Sequence, residues 1–337
     1  MKVHRELTGL LPVVKKAVVT IGTFDGVHLG HRQIIAQMKK EAAIIGGETV
    51  IITFDPHPRK IISSVPEDVK LLNTLEEKII LLEAAGIDHL VVVPFNQQFA
   101  NQTADEYIHD FLFNTFHPHT VIIGYDHRFG KGRVGDFHLL KAFGVKLGFE
   151  VKEISEQMMN EIVISSTRIR LALLETDIVV ANKFLGYPYF FEGTVVEGNK
   201  LGRTIGYPTA NLHITSEEKL VPGNGVYAVT VRSLELGLGS FGVDWKDKND
   251  NNFKNIESFP LKHLKGMMNI GYRPTVDGRK RVIEVNIFDF AKEIYGEVLQ
   301  VFVHAYIRRE VKFDGMDALK IQLEKDQHTA KTLLQNK

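Results

Sequence analysis

Short apolar runs rich in valine and isoleucine alternate with longer amphipathic segments over residues 15–160. These β-branched runs predict five strands: Ala17–Ile21, Val50–Phe54, Leu90–Val93, Val121–Gly124 and Glu150–Ile154. Segments between them, such as Arg32–Ile45 and Leu75–Ala85, have the periodicity of helices that pack one face on a sheet. The alternation predicts an α/β domain with a parallel sheet covered on both faces, whose ligands bind beyond the carboxyl ends of the strands.

A different pattern begins after Gly186, where strand-like segments follow one another with only turn residues between them. The segments are Phe190–Val196, Val226–Val231, Lys265–Ile270, Val282–Phe288 and Leu299–Ile307. They predict a small antiparallel barrel, followed by one C-terminal helix over Asp314–Leu334. We therefore predict two domains, 1–184 and 185–337. Residues 233–263 are rich in Gly, Asp, Asn and Lys and predict a partly mobile surface insertion in the second domain.

Composition narrows the class of protein. The 337 residues include 41 basic and 41 acidic side chains and no cysteine. Zero net charge gives no whole-chain attraction for nucleic acid, and the lack of cysteine excludes disulfides, thiolate zinc sites and cysteine nucleophiles. The first residues of the sequence show no apolar stretch long enough for a signal peptide, and no segment approaches the ~20 apolar residues that a membrane helix needs. We expect a cytoplasmic protein that binds neither nucleic acid nor membranes; its oligomeric state is left open.

A glycine-rich turn joins the first predicted strand to the helix that follows it. Gly22, Gly26 and Gly30 let the backbone approach a phosphate closely, and the N-terminal end of a helix attracts anions. His28 and His31 are three residues apart, so their side chains share one side of the first helical turn. Two imidazoles there can donate hydrogen bonds to a triphosphate and to the charge that develops on its α-phosphate. The alternative is that both histidines only cap or pack the start of the helix.

Two further segments of the first domain carry polar groups suited to a nucleotide site. Ser165–Thr167 precede an apolar-periodic segment and predict a helix N-cap, beside which Arg168 and Arg170 could hold phosphates and the leaving pyrophosphate. Taken alone, this segment is more typical of an ordinary helix cap with arginines facing solvent. Gly124–Gly132 lack the spacing of a P-loop and predict a strand-end loop that contacts the substrate.

The predicted barrel begins with a second glycine-rich segment, Gly198–Asn211. Its three glycines, at four-residue intervals, can form a loop over phosphates, although an ordinary glycine-rich hairpin is the alternative. The Thr209 hydroxyl and the Asn211 amide oxygen are the kind of hard ligand that Mg²⁺ prefers. Further on, apolar residues alternate along Ile283–Ile287, which places Glu284 on the opposite face of that strand. A carboxylate in such a place usually faces solvent, but a barrel with its site on that face would direct Glu284 at the substrate.

Several of these runs resemble a known family. His28-x-Gly30-His31 and Ser165-Ser166-Thr167-x-Ile169-Arg170 look like the nucleotidyltransferase superfamily. Thr53–Pro58 and Gly124–Gly130 are similar to the adenylyltransferase half of the bacterial bifunctional riboflavin kinase/FAD synthetases. Gly198–Asn211, with Glu284, resembles the riboflavin kinase half of the same family. The resemblance implies a Rossmann-like nucleotidyltransferase domain and a six-stranded riboflavin kinase-like barrel with a C-terminal helix.

The resemblance also implies substrates and residue roles. The chain would use ATP and Mg²⁺ to phosphorylate riboflavin to FMN in the second domain and to adenylylate FMN to FAD in the first, releasing pyrophosphate. The implied catalytic residues are His28, His31, Arg170 and, as general base, Glu284. The implied ATP-binding residues are Gly22, Phe24, Gly30, Ser166, Thr167, Gly202, Arg203, Thr209 and Asn211, of which Thr209 and Asn211 also bind the metal. The implied flavin-binding residues are Asp55, His57, Asp126, Arg128 and Arg308.

The two implied transfers need different chemistry, and the residues present match that difference. A ribityl hydroxyl is a poor nucleophile and benefits from a base such as Glu284. The phosphate of FMN already carries about −1.5 to −2 charge and needs cations and hydrogen-bond donors instead of a base. Two alternatives remain at this point: an enzyme active at one site only, or a flavin-binding regulator that keeps both pockets without turnover.

Overall fold

The computed structural model of the chain describes residues 1–7, 14–62, 70–154, 164–198, 200–233, 263–275, 278–335 and 337. The chain forms two compact units, Met1–Ser165 and Ser166–Lys337. Within the described residues, no helix has both the length and the apolar character to cross a membrane. The predicted insertion at 233–263 lies outside the described residues except for its first and last positions. The predicted domain boundary at 184/185 stays a prediction.

The first unit contains a six-stranded sheet in which every neighbouring pair of strands is parallel. The strands are β1 (Lys2–His4), β2 (Val18–Ile21), β3 (Thr49–Asp55), β4 (His89–Pro94), β5 (Thr120–Gly124) and β6 (Glu150–Ile154), in the order β1-β4-β3-β2-β5-β6. All of β2 and the first five residues of β3 and of β4 are buried. Helices on both faces explain this burial, as the continuous valine and isoleucine runs predicted.

The helices of the first unit connect these strands. They are α1 (Leu29–Ile45), α2 (Pro58–Ile62), α3 (Leu75–Ala84), α4 (Gln97–Ala100), α5 (Ala104–Glu106), α6 (Asn114–Phe116) and α7 (Phe137–Leu147), with a π-helical segment (Tyr107–Phe113) between α5 and α6 and a 3₁₀ turn (Lys131–Arg133) before α7. Thr74 caps α3 through a reciprocal pair of hydrogen bonds with Glu77, which satisfies backbone donors at the start of that helix.

The second unit is built on a closed barrel of six antiparallel strands. They are β7 (Tyr189–Val196), β8 (Ala210–His213), β9 (Gly225–Ser233), β10 (Leu264–Thr275), β11 (Gly278–Ile287) and β12 (Val298–Arg308), in the cyclic order β10-β11-β8-β7-β12-β9. The helices are α8 (Ser166–Leu174), α9 (Ile178–Leu185), α10 (Leu201–Thr204) and α11 (Met316–Leu333). The predicted fold, a parallel α/β domain followed by a six-stranded barrel and a C-terminal helix, is confirmed.

Helix α11 packs on the outside of the barrel. Ala330 and Leu334 pack in one apolar cluster with Ala228 of β9 and Met267 of β10. A charged contact lies at the edge of this packing: Arg308 donates to both carboxylate oxygens of Asp326 through Nε at 2.9 and 3.0 Å and through Nη2 at 2.6 Å. The Asp326 side chain is 2% exposed, so this pair ties the helix to the end of β12 in a place that water hardly reaches.

Asp326→Ala is expected to lower the free energy of unfolding by about 3–5 kcal/mol, because it leaves the Arg308 guanidinium desolvated without its anion. Urea unfolding of the full chain measures this loss. Glu293→Ala is the matched control, since it breaks an ion pair with Arg203 whose side chains are 55% and 68% exposed. That pair should contribute about 0–1 kcal/mol. Equal losses in the two variants would contradict the role given to Asp326.

Candidate active sites

Three neighbouring strands of the first unit bring the predicted site segments to one edge of the sheet. The glycine-rich turn follows β2, Asp55 and His57 come at and after the end of β3, and Asp126 and Arg128 follow β5. In the sheet, β2 lies between β3 and β5, and the chain order reverses there. Such a reversal opens a crevice at the carboxyl ends of the strands, which is where ligands bind in open parallel sheets.

The two histidines of the turn are brought into direct contact. His28 is the N-cap residue of α1, and its ring stacks on that of His31 with centroids 3.7 Å apart. The Phe24 ring also packs against His31, with ring centroids 4.7 Å apart. Burial lowers the pKa of His31 well below its ordinary value, and the neighbouring His28 and Lys78 lower it further. His31 is therefore neutral at physiological pH and can donate one hydrogen bond without adding a charge.

Lys78 is a residue of this region that the sequence analysis missed. It lies on α3 and is buried, and its Nζ donates to the Thr53 hydroxyl at 3.3 Å. Burial lowers the pKa of Lys78, while Asp25 and Asp55 act in the opposite direction. The signal was present in the sequence, because Lys78 shares a helix face with the apolar residues three and four positions later. Lysines are rarely buried, so a lysine on the buried face of a helix is a candidate site residue.

The predicted flavin-binding side chains of the first unit differ in exposure. Asp55, Asp126 and Arg128 are exposed at the carboxyl edge of the sheet, whereas His57 is buried and its Nδ1 accepts from the backbone N–H of Arg59 at 3.2 Å. Between Asp126 and Arg128, burial lowers the pKa of His127 to about 4. The loop after β5 therefore presents one acidic and one basic side chain around a neutral imidazole.

The serine, threonine and arginine that the resemblance assigns to the nucleotide site begin the second unit. Ser166 and Thr167 start α8, and Arg170 follows one turn later on the same helix. The prediction that a helix begins at these hydroxyl residues is confirmed. The association of Arg170 with the histidine turn stays a prediction.

Two cavities lined by described residues of the second unit involve the glycine-rich segment before β8. The first, here called the loop cavity, has a volume of about 370 Å³. It is lined by Val195, Arg203, Pro208, Thr209, Ala210, Val285, Ile287, Phe290, Ala291, Lys292, Glu293, Ile294 and Tyr295. Two cations and two aromatic rings among these residues suit a nucleotide, whose phosphates need positive charge and whose base needs a flat surface.

The second, here called the helix cavity, has a volume of about 250 Å³ and lies between the barrel wall and α11. Its lining is Gly202, Ile205, Tyr207, Thr209, Val226, Met267, Met268, Asn269, Arg273, Glu284, Asn286, Arg308, Glu310, Val311, Phe313, Leu319, Leu323 and Asp326. Apolar and aromatic residues of the barrel and of α11 form part of the wall, and polar residues on β10 and β11, together with Thr209, Arg308, Glu310 and Asp326, form the rest. A pocket of this kind suits a flat aromatic ligand that carries a polar chain.

Thr209 lines both cavities, and the strand alternation explains how they are separated. Along β11, Glu284 and Asn286 line the helix cavity, whereas Val285 and Ile287 line the loop cavity. The predicted alternation along this strand is thereby confirmed. Of the two alternatives left open for Glu284, solvent or a site on the barrel, the side chain faces a cavity. Thr209 is the polar residue where a ligand in one cavity could meet a ligand in the other.

Two glycines allow the backbone to pack closely around the predicted metal ligands Thr209 and Asn211. A Cβ on Gly198 would lie 2.1 Å from the side-chain nitrogen of Asn211, and one on Gly202 would lie 2.2 Å from the carbonyl oxygen of Tyr207. The backbone of the segment thus folds tightly against both Asn211 and the residues before Thr209. Asn211 lies directly opposite Glu284 in the β8–β11 pairing, so their side chains share one face of the barrel wall.

Glu284 is partly buried and has a cationic partner. Its side chain is 14% exposed, and Arg273 on the neighbouring strand places Nη2 at 2.6 Å from each of its oxygens. Asn286 on the same face donates to the carbonyl oxygen of Pro208 at 2.7 Å. Arg273 is not among the site residues that the resemblance implies. Its contact with Glu284 depends on the register of two strands, which the sequence pattern does not specify.

Together, the two folds and their sites define a two-domain, nucleotide-dependent transferase. A family model for FAD synthetase matches residues 12–168, and one for riboflavin kinase matches residues 185–334. A protein of Haemophilus influenzae named bifunctional riboflavin kinase/FMN adenylyltransferase is 37% identical over 98% of this chain and 98% of its own length. A protein of Listeria monocytogenes with the same name is 39% identical over 92% and 90% of the two chains. This chain belongs to the family of bifunctional riboflavin kinase/FMN adenylyltransferases, as the resemblance predicted.

A solved structure shares the whole architecture. It comes from Streptococcus pneumoniae and is described as a macrolide-efflux protein. It superposes with a TM-score of 0.80 at 29% identity, covering 98% of this chain and 98% of that chain. The combination of a parallel sheet and a barrel in one chain therefore recurs in a protein of almost the same length.

Proposed function

We propose that the second unit transfers the γ-phosphoryl group of ATP to riboflavin and that the first unit transfers an adenylyl group from a second ATP to the resulting FMN. The protein is a transferase that makes FMN and FAD, as membership of the family implies. One observation supports the assignment of phosphoryl transfer to the second unit. The carboxylate of Glu284 faces the helix cavity, opposite Asn211, and this cavity shares the lining residue Thr209 with the loop cavity.

In the second unit, the nucleotide would occupy the loop cavity and the flavin the helix cavity. Arg203 and Lys292 are the cations of the loop cavity that can bind phosphates, and Tyr295 offers a ring to the adenine. Met267 and Leu323 form apolar walls of the helix cavity that can enclose the flavin ring. The γ-phosphate and the ribityl hydroxyl would then meet at the shared Thr209 position.

Glu284 would take the proton of the ribityl hydroxyl as that oxygen bonds to the γ-phosphorus. The donor set beside it fits a magnesium ion, since Thr209 and Asn211 offer hard oxygen ligands and Mg²⁺ commonly completes its shell with water and phosphate oxygens. Among the described residues, no cluster of three or more His, Asp or Glu side chains could hold a metal by itself. When bound, Mg²⁺ would neutralise charge on the transferring phosphoryl group.

In the first unit, the start of α1 would bind the α-phosphate of ATP. His28 and His31 would donate hydrogen bonds to the charge that grows on that phosphate, and Gly22 and Gly30 keep the backbone open to it. Asp126 and Arg128 flank the loop after β5 and would contact the flavin. Lys78, buried beneath the turn, supplies a positive potential where an anion must bind.

The experiment that tests the proposal uses the full chain with riboflavin and Mg-ATP, followed by chromatographic separation of the flavins over time. FMN should appear first and FAD afterwards, with ADP and pyrophosphate as the respective co-products. FMN without FAD would reject the activity of the first unit. Bound but unconverted riboflavin would reject the activity of the second unit. If FMN supplied in its place also stays bound and unconverted, both activities are rejected and a flavin-binding regulator is favoured.

A further inference from the structure

Arg273 is a cation of the helix cavity that the proposed mechanism leaves without a role. It extends from β10 towards Glu284 on β11, and a single nitrogen, Nη2, lies 2.6 Å from both carboxylate oxygens. The Arg273 side chain is 36% exposed, so the pair is open to the cavity. Its Nε and Nη1 groups donate to no other residue in the described part of the chain. Donors of the guanidinium are thus left for a second anion.

The other arginine of the cavity is committed elsewhere. Arg308 donates three hydrogen bonds to the buried carboxylate of Asp326 and a fourth to the carbonyl oxygen of Arg309. Turning Arg308 to a ligand would leave Asp326 as an unpaired buried anion, which is costly. Among the described residues that line the helix cavity, Arg273 is therefore the cation that is able to turn to a ligand.

The strand order fixes where Arg273 lies relative to the reacting groups. In the barrel, β11 lies between β8 and β10. Glu284 therefore has the proposed metal ligand Asn211 on one side and the Arg273 guanidinium on the other. A phosphoryl group that arrives from the Asn211 side and bonds to an oxygen held by Glu284 comes within reach of Arg273.

We infer that Arg273 binds the phosphate of the product FMN, moving from the carboxylate of Glu284 to the new phosphate during the transfer. The ribityl oxygen bonds to the γ-phosphorus, the bond from that phosphorus to the bridging oxygen breaks, and its electron pair leaves with ADP. The hydroxyl proton goes to Glu284. The carboxylate thereby loses its charge just as a phosphate of about −1.5 to −2 charge forms beside it. A planar guanidinium suits that phosphate well. The inference rests on the proposed function of this cavity.

The test compares Arg273→Met and Arg273→Lys in the full chain, using initial rates of riboflavin phosphorylation with FMN added as product inhibitor. Arg273→Met should raise the inhibition constant of FMN about ten- to a hundredfold, the worth of a charged hydrogen bond. It should also lower kcat, while the KM for riboflavin, which has no phosphate, stays unchanged. Arg273→Lys should recover part of the FMN affinity, because lysine keeps the positive charge but lacks the planar set of donors of a guanidinium. Arg309→Met, an exposed arginine outside the cavity, is the control and should change none of these quantities.

Two results would overturn the inference. One is an unchanged inhibition constant of FMN, and the other is a parallel rise in that constant and in the KM for riboflavin, which would show that Arg273 only supports the cavity. If Arg273→Met does not fold, Arg273→Lys serves as the test: a raised inhibition constant of FMN with an unchanged KM for riboflavin supports the inference. Glu284→Gln distinguishes this inference from the proposed function: full phosphorylation activity in that variant rejects the base, whereas selective loss of FMN affinity in Arg273→Met tests the arginine alone.

Discussion

Glu284→Gln is expected to lower the rate of riboflavin phosphorylation by about 10²–10⁴-fold, the usual contribution of a positioned general base. The amide has nearly the shape of the carboxylate and can still accept a hydrogen bond from Arg273, so the cavity should keep its form. It cannot take the proton of the ribityl hydroxyl. Conversion of FMN to FAD should proceed at the normal rate, because the phosphate of FMN needs no base.

The two activities are measured separately, with riboflavin or FMN as the flavin and ATP in both assays. Glu192→Gln is the matched control: it makes the same chemical change on β7, outside both cavities. It should leave both rates unchanged. Normal phosphorylation by Glu284→Gln, or an equal loss of both activities in a folded protein, would contradict the role given to Glu284.

His28→Ala is expected to have the opposite selectivity, lowering FAD formation from FMN by about 10²–10³-fold. His28 begins α1 and its ring stacks on His31, so its removal takes away one donor and loosens the other. Both would act on the charge that develops on the α-phosphate. Phosphorylation of riboflavin should continue at the normal rate, since the barrel supplies its own residues.

The same paired assays check this second expectation. His138→Ala removes an exposed imidazole on α7 and should alter neither activity. Because His28 is buried, its loss can also affect folding. His28→Asn keeps a hydrogen-bond donor, and recovery of part of the rate in that variant separates catalysis from packing. Undiminished FAD formation by His28→Ala would reject the proposed site in the first unit.

The parts of the fold that the sequence predicted are those set by burial. Strands β2 to β6 lie within a residue or so of the predicted runs at each end. For β2 to β5 the reason is that a strand covered on both faces must be apolar almost throughout. The edge strand β6 is mostly exposed or half-buried and carries charged side chains. Strand β1 was missed, since three residues at the edge of a sheet carry no such run. Strand β8 was missed because its four residues, Ala210–His213, were interpreted as the end of a ligand loop.

The candidate sites divide in the same way. Local spacing was enough to identify the histidine turn and the face of Glu284, since both depend on neighbours in the chain. The partners of charged groups were not predictable. Arg273 reaches Glu284 from the neighbouring strand. Arg308, expected to contact flavin, is held by Asp326, which lies 18 residues later on α11. Such contacts depend on register and packing, which a single sequence does not specify.

The placement of Thr209 between the two cavities has a stereochemical consequence. With the nucleotide in the loop cavity and the flavin in the helix cavity, the acceptor oxygen would approach phosphorus from the side opposite to departing ADP. In such an in-line displacement, the three oxygens that stay on phosphorus pass through a planar arrangement, which inverts the configuration at phosphorus. An isotopically chiral γ-phosphoryl group would therefore reach the ribityl chain with inverted configuration, as expected of direct transfer without a phosphorylated enzyme.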